Sequence, residues 1–338
     1  MERILFNYSK DDFIYSVAST ATLNNASKFD EELQRAWSHA RDEGRFRYHL
    51  DKLETEIIPG KYSFVSQLNV ERAQERRKPE FISSITESFN PTRFNFNKIK
   101  DEEILFSMKN TDDLRNQNDE DLLAINVSPY EYCCSLFISA PSLCLPQILQ
   151  KKALKSAVEI VLLSATPCMK VGFNSLGGYA SVNHHHFHSQ LLAGDCYELC
   201  DYPAPGFAFE LRDQNVDHLI SCVMKLADFC LERAVPHNLM ITRGSLLSEN
   251  DQKDSYDTVR VIFWARKAAF VSASENSNHP SSSQRPEGSK DDFAFNPAFC
   301  EFAGHLPIKG WFSLLVIYIV EVFATDTLLY YNSSEVRV

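Results

Sequence analysis

The sequence lacks an excess of basic residues, a cysteine framework and an apolar N-terminal leader. Its formal net charge is −11, whereas proteins that follow a nucleic-acid backbone usually carry a basic face. No nucleic-acid partner is therefore expected. The nine cysteines include no Cys-x-x-Cys pair, which favours a reducing compartment over a disulfide scaffold. The first twenty residues are interrupted by charges and do not resemble a secretion signal. These absences predict a cytoplasmic location.

A long apolar run is also lacking. The most apolar stretch, residues 311–324, spans about 14 residues and already contains Glu321, short of the roughly 18 that a membrane span requires. A buried strand or helix is favoured there, and no membrane contact is expected. Residues 272–290 are rich in Ser, Asn and Pro and predict a disordered surface loop.

The remaining chain has the periodicities of an α+β protein. Apolar residues at helical spacing predict helices after a cap at Asp30 and ending near Gly44, from Pro146 to Leu162, and from Leu219 to Cys230. The segment before residue 28 is polar and predicts an irregular extension. Alternating or continuous apolar runs predict strands at 61–68, 104–108, 122–127, 132–138, 170–174, 179–192, 236–243 and 259–265. We therefore expect an antiparallel sheet with flanking helices.

The most unusual stretch is a histidine run, since four of the ten histidines fall within five positions. Successive side chains of a strand point to opposite faces, at about 6 to 7 Å per two residues. His184, His186 and His188 would therefore share one face, and His185 would point the other way. A buried neutral imidazole needs both a donor and an acceptor partner. Three imidazoles on one face thus indicate a phosphate or metal site.

Polar residues precede the histidines in what reads as a hairpin turn. Asn174, Ser175, Gly177 and Gly178 offer amide, hydroxyl and backbone donors, and Asn183 lies beside the histidines; these groups suit a phosphate. Zinc remains open as an alternative, because strand residues two apart can chelate it. A separate basic run carries Arg72, Arg76, Arg77 and Lys78 among glutamates. For it we favour a solvated face over a role in holding phosphate.

A family resemblance extends these motifs. Residues 171–188, VGFNSLGGYASVNHHHFH, resemble the active-site segment of the GDP-D-glucose phosphorylase family, within the histidine-triad superfamily. Five further segments resemble the same family in the same order: 59–69, 94–98, 127–132, 237–244 and 300–306. The resemblance covers about residues 45–309. It implies a histidine-triad-like fold of two related halves, which we place at 46–205 and 206–310, after an N-terminal extension and helix at 1–45 and before a divergent tail at 311–338.

The resemblance also implies a chemistry. His186 would attack the α-phosphorus of a GDP-sugar, forming a guanylyl-histidine and releasing hexose 1-phosphate, after which inorganic phosphate would release GDP. His184 and His188 would assist. The phosphates would be bound by Asn174, Ser175, Gly177, Gly178 and Asn183. No metal or other cofactor is implied, the partners are the GDP-sugar and phosphate, and a homodimer is compatible. Two alternatives stay open: a histidine-triad nucleotide hydrolase that uses water, and an inactive nucleotide- or metal-binding relative.

Three departures from the family pattern are visible. His185 stands where the family generally has an apolar residue, and we expect it to affect packing but not chemistry. Cys133 and Cys134 stand where the family tends to have Gly-His, which predicts the loss of a phosphate-facing group. After Lys309 the sequence no longer resembles the family.

Overall fold

A computed structural model describes residues 3–18, 20–21, 26–50, 53–58, 62–77, 80–113, 120–191, 204, 206–246, 255–268 and 297–308. The loop predicted at 272–290 and the tail at 311–338 lie outside these residues. The strands, in chain order, are β1 (Leu5–Tyr8), β2 (Val17–Ala18), β3 (Glu54–Ile57), β4 (Val65–Leu68), β5 (Ile104–Asn110), β6 (Asp121–Ile125), β7 (Ser135–Ile138), β8 (Met169–Asn174), β9 (Phe187–Leu191), β10 (Phe207–Glu210), β11 (His237–Gly244), β12 (Ser255–Tyr256), β13 (Thr258–Ala265) and β14 (His305–Ile308).

The helices are α1 (Lys28–Asp42), α2 (Val70–Glu75), α3 (Lys151–Leu163), α4 (Val216–Glu232) and α5 (Phe299–Phe302). Nine strands form one sheet in the order β1-β5-β6-β7-β9-β8-β11-β13-β10. Every neighbouring pair is antiparallel except β1 and β5. The α+β class and the antiparallel sheet with flanking helices are thereby confirmed. The β8–β11 pair joins strands of the two predicted halves in this one sheet, and the domain boundaries themselves stay predictions.

Helices α1, α3 and α4 pack on one face of the sheet. Helix α3 contacts β8, β11 and α4, and its apolar side chains share the main core with Val171 and Phe187 from the middle strands. Because side chains alternate along a strand, Gly172 and His188 belong to the opposite face. On that face a second, smaller apolar cluster contains Phe96 and Val182. The sheet face away from α3 is therefore the one that carries the histidines.

A smaller sheet brings the C-terminal part of the described chain to this face. Strand β14 pairs in parallel with β4, which also pairs with β3. Helix α5 precedes β14 and contacts β8 and β11. Among the described helices, none is long and apolar enough to cross a bilayer.

The N-terminal predictions need correction. Residues 5–8 are not an irregular extension, because β1 pairs with β5 at the edge of the main sheet. Tyr8 is buried there, and its hydroxyl donates to Glu159 at 2.8 Å. Helix α1 begins after Ser27, whose hydroxyl accepts from the Asp30 amide at 3.1 Å. Asp30 is therefore the N3 residue of a capping box, and Ser27 is the N-cap. Gly44 follows the helix with φ 65°, as expected of a helix end.

The strand predicted at 179–192 is mostly absent. Strand β9 begins only at Phe187, and residues 179–186 form turns, bends and irregular backbone. Tyr179 has φ 75°, and the His185 amide donates to the Leu145 carbonyl at 3.0 Å. The segment is thus held by the chain around residue 146 and not by a neighbouring strand. The alternation argument fails for His184–His186, and the strand predicted at 61–68 likewise forms only from Val65.

Candidate active site

An open cleft lies on the histidine face of the sheet. His186 and His188 both line it, although only His188 belongs to a strand. Their ring centroids are 5.2 Å apart. Two of the three predicted histidines therefore meet in the cleft. The sequence predicted a single strand for both, but His186 lies on a loop and His188 on strand β9.

The ring of His186 has a fixed orientation. Its Nδ1 lies 2.7 Å from the His184 carbonyl oxygen and 3.0 Å from Oε1 of Gln147. Both neighbours are acceptors, so Nδ1 carries the proton and donates it towards them. The lone pair of the neutral ring is then on Nε2. This is the arrangement of a nitrogen nucleophile that needs no separate base.

Burial keeps both cleft histidines neutral. It lowers the pKa of His186 to about 4, although the bond to the His184 carbonyl acts in the opposite direction. Burial is also the main cause that holds the pKa of His188 well below its usual range, and the positive charges of Arg72 and Arg76 lower it further. At neutral pH both rings are therefore unprotonated.

Helix α5 forms the wall beside His188. The Phe299 ring stacks on His188 with centroids 5.5 Å apart. A Cβ added to Gly172, which is paired with His188 across the sheet, would lie 2.0 Å from the Phe299 ring. Glycine at this position therefore permits Phe299 to approach the sheet. The Nδ1 of His188 is buried and has no hydrogen-bond partner in the described part of the chain.

His184 and His185 lie outside the cleft lining. The His184 Nδ1 accepts from the Phe96 amide at 2.9 Å, so this residue contributes to the site through its carbonyl, which orients His186. His185 packs against Phe173 and Phe187, away from the cleft as expected. Both of its ring nitrogens are buried and have no hydrogen-bond partner among the described residues. Burial lowers the pKa of His185 to about 3.

Of the predicted phosphate-binding residues, Asn174 is the one that lines the cleft. Its Oδ1 accepts from the Phe299 amide at 2.8 Å and also from the Asn238 side chain. Asn174 therefore joins β8, β11 and α5 at the edge of the site.

The other four predicted phosphate-binding residues shape the surrounding loops. The Ser175 hydroxyl accepts from the His237 amide at 2.8 Å. The Asn183 side chain accepts from the Gln147 amide at 3.0 Å and donates to two backbone carbonyls. Gly177 has φ 71°, and a Cβ on Gly178 would lie 2.9 Å from the Ser175 hydroxyl. None of the four lines the cleft.

Cys133 and Cys134 are both buried, Cys133 in the main core and Cys134 in the small cluster beside the cleft. Neither lines the cleft, but Cys134 packs with Tyr130, which does. Burial raises the pKa of Cys133 to about 12, so its thiol stays protonated. The two thiols offer no charge to a ligand.

The solvated face favoured for the basic run is wrong for its three arginines, and Lys78 lies outside the described residues. Arg72, Arg76 and Arg77 line the cleft, together with Arg47. Arg72 donates to the Ser128 carbonyl at 3.1 Å. Burial, followed by the charge of Arg72, lowers the pKa of Arg76. The alternating glutamates concealed this role, and Arg76 lies just beyond the end of helix α2, in extended backbone.

The metal alternative finds no ligand set in the described ranges. No three His, Cys, Asp or Glu side chains there are placed to share a metal ion. The grouping of neutral histidines with four arginines instead suits a ligand that carries several phosphate charges.

Comparisons with known proteins show the family of this chain. The chain matches the family descriptions "GDPGP1-like, N-terminal domain" over residues 28–190 and "GDPGP1-like, C-terminal domain" over residues 179–312. It is 39% identical to GDP-D-glucose phosphorylase 1 of Danio rerio, over 90% of this chain and 88% of that protein. It is 42% identical to GDP-D-glucose phosphorylase 1 of Homo sapiens, over 84% of this chain and 74% of that protein.

A solved structure extends the comparison to the fold. Yeast Ap4A phosphorylase Apa2 in complex with Ap4A superposes with a TM-score of 0.59 at 13% identity, covering 90% of this chain and 96% of that one. The expected histidine-triad-like fold is thus confirmed. From the two domain matches and the identities to full-length relatives, the chain belongs to the GDPGP1-like family.

Proposed function

We propose that this protein is a GDP-D-glucose phosphorylase, a nucleotidyltransferase that converts GDP-glucose and phosphate to GDP and glucose 1-phosphate. One observation carries the proposal: His186 is neutral, its Nδ1 proton is held by the His184 carbonyl, and it lines a cleft with four arginines. Family membership supports the choice of substrate, since relatives at 39% and 42% identity bear this enzyme's name.

In the first step, the Nε2 lone pair of His186 attacks the α-phosphorus of GDP-glucose. The bond from this phosphorus to the bridging oxygen breaks, and glucose 1-phosphate leaves with the electron pair. A phosphate monoester has a second pKa of about 6, so the leaving group needs little acid assistance. The positive charge that develops on the ring is stabilised because Nδ1–H donates to the His184 carbonyl and to Gln147.

In the second step, an oxygen of inorganic phosphate attacks the α-phosphorus of the guanylyl-histidine. The phosphorus–nitrogen bond breaks, its electron pair returns to Nε2 of His186, and GDP is released. The scheme uses no metal or other cofactor. Both steps transfer the same group at the same atom, so one set of positioning contacts serves both.

The remaining residues bind and orient in this proposal. His188 contacts the α-phosphate oxygens, and Arg72 and Arg76, whose charges act on His188, neutralise the sugar phosphate and then the incoming phosphate. His184 acts as a positioning residue. Asn174 borders the phosphates, whereas Ser175, Gly177, Gly178 and Asn183 fix the loops around it.

Isotope exchange tests the reaction. With labelled phosphate and unlabelled GDP, and with no sugar phosphate present, a guanylyl-histidine intermediate allows label to enter GDP. The alternative nucleotide hydrolase would give GMP from GDP-glucose whether or not phosphate is present. Binding of nucleotide with neither exchange nor products would instead identify an inactive relative.

The cellular and oligomeric expectations belong to the same proposal. A cytoplasmic location is supported by the seven cysteines within the described ranges, all of which are free thiols. The proposed homodimer rests on the family resemblance. Light scattering of the purified protein should give twice the mass of the single chain, and the mass of one chain would contradict the homodimer.

A further inference from the structure

Ring contacts trace the cleft from the histidines to an apolar end. From the His188–His186 pair, the line continues to Phe96, 4.8 Å from His186 between ring centroids, and then to Phe94 at a further 5.8 Å. Ile99 and Val182 line the same cleft. Aromatic and apolar walls of this kind suit a stacked nucleobase.

The position of the reacting phosphorus then orients the substrate. The α-phosphorus must lie at His186, and from it the nucleoside and the sugar phosphate extend in different directions. At the His188 end of the cleft, the positive charges of Arg72 and Arg76 lower the pKa of His188. These charges suit the sugar phosphate. The base therefore fits the other end of the cleft, which Phe94 and Phe96 form.

A carboxylate lies at this base end. Glu103 is half-buried and lines the cleft. Its negative charge raises the pKa of the Arg77 guanidinium, against the larger lowering by burial. Its carboxylate accepts from the Lys100 amide at a long 3.5 Å; within the described chain it makes no ion pair. A carboxylate repels phosphate, so charge excludes Glu103 from phosphate binding. What a carboxylate can do there is accept two adjacent N–H donors.

We propose that Glu103 selects guanine by accepting hydrogen bonds from its N1–H and its exocyclic N2 amino group. This inference rests on the proposed function, which it deepens by naming the group that reads the base. Guanine presents these two donors beside the O6 acceptor. Arg77, whose guanidinium carbon lies 3.1 Å from the Phe94 ring centroid, donates to O6. Adenine and uracil do not present two adjacent donors, so they leave the carboxylate unpaired.

Two other roles for Glu103 make different predictions. If it bound the ribose hydroxyls, or only held Arg77 in place, its removal would weaken all bases alike. Inosine distinguishes these roles, because hypoxanthine is guanine without the N2 amino group. The ratio of GDP to IDP affinity therefore isolates the contact to that group. It can be measured by calorimetry with inorganic phosphate in excess, which returns any guanylyl group on His186 to GDP.

The test compares GDP and IDP binding to the full chain and to Glu103→Gln, which keeps the shape of the side chain but removes its charge. The unchanged chain should bind GDP about 10 to 100 times more tightly than IDP. In Glu103→Gln, GDP affinity should fall and the ratio should drop below about three. Glu102→Gln is the matched control: Glu102 is exposed and pairs with Lys100, and its removal should leave the ratio unchanged.

The inference would be overturned if Glu103→Gln left the ratio of GDP to IDP affinity unchanged, whether or not both affinities fell. It would also be overturned if the unchanged protein bound neither nucleotide. The outcome is separate from that of the proposed function. Selective binding of GDP that depends on Glu103, without phosphorolysis, would sustain this inference and reject the enzyme. Phosphorolysis with no dependence on Glu103 would do the reverse.

Discussion

The side chain of Gln147 hydrogen-bonds to both the backbone and the ring of His186. Its Oε1 accepts from the His186 amide at 2.8 Å and lies 3.0 Å from the ring Nδ1. Its Nε2 donates to the carbonyls of His186, at 2.9 Å, and of Asn174, at 3.0 Å. The orientation of the proposed nucleophile therefore depends on a neutral amide that both accepts and donates.

Replacing this amide with a carboxylate should change the charge state of His186. In Gln147→Glu the carboxylate still accepts from Nδ1–H, but it stabilises the protonated ring and raises the pKa of His186 from about 4. Guanylyl transfer should slow by about 10 to 100-fold, and its loss on acidification should occur at higher pH. Gln147→Leu should slow the reaction without this pH shift; equal pH profiles for the two variants would contradict the account.

The unmodified protein should tolerate acid unusually well in its chemical step. A histidine with an ordinary pKa near 6.5 loses its nucleophilic form as the pH falls below that value. Because burial lowers the pKa of His186 to about 4, the neutral ring persists through pH 5. Rapid-quench measurement of the adduct-forming step should give similar rates at pH 7 and pH 5. A fall with an apparent pKa near 6.5 would contradict the assigned environment.

His185 should be replaceable at a gain in stability. Both its ring nitrogens are buried and find no partner in the part of the chain that the structure describes, so His185→Leu should raise the free energy of unfolding by about 1 to 3 kcal/mol. The folded-state pKa of about 3 lies below the unfolded value. The unfolded chain therefore takes up the proton first, and the benefit should grow as the pH falls from about 6.5. Urea titrations at pH 7 and pH 5 test this, and lost stability or activity would contradict it.

The contact of Phe299 with Gly172 should couple these two residues. Gly172→Ala places a methyl group against the Phe299 ring, which must then move away from His188. We expect kcat/KM to fall by at least about tenfold, and we expect Phe299→Leu to recover part of the loss, because a smaller side chain relieves the clash. Purely additive losses in the double variant would show that the two positions are independent.

Arg76 should contribute mainly to phosphate binding. Its side chain lines the cleft, and a charge-assisted bond to phosphate is stronger than a neutral one. Arg76→Gln should raise the KM for inorganic phosphate by about tenfold or more. Arg41→Gln is the control, since Arg41 is exposed and pairs with Asp42. An unchanged KM in Arg76→Gln would remove Arg76 from the site.

Local patterns predicted the elements better than they predicted the site. The spacing of apolar residues predicted α1 and α4 because each helix buries one stripe. It predicted α3 because apolar residues fill most of this helix, which is buried on all sides from Ser156 to Leu163. The histidine strand was overextended because the contacts that hold His184–His186 come from Gln147 and Leu145, which are distant in sequence. Glu103 and Phe299 were missed for the same reason. Their proximity to the cleft arises from tertiary packing, which no local period records.

The mass of the protein after reaction with GDP-glucose tests the central claim most directly. With phosphate absent, denatured protein should carry one guanylyl group, and addition of phosphate before quenching should remove it. His186→Ala should carry none. His49→Ala, which changes an exposed histidine outside the cleft, should carry the full amount. An adduct of equal yield on His186→Ala would contradict the assignment of His186 as the nucleophile.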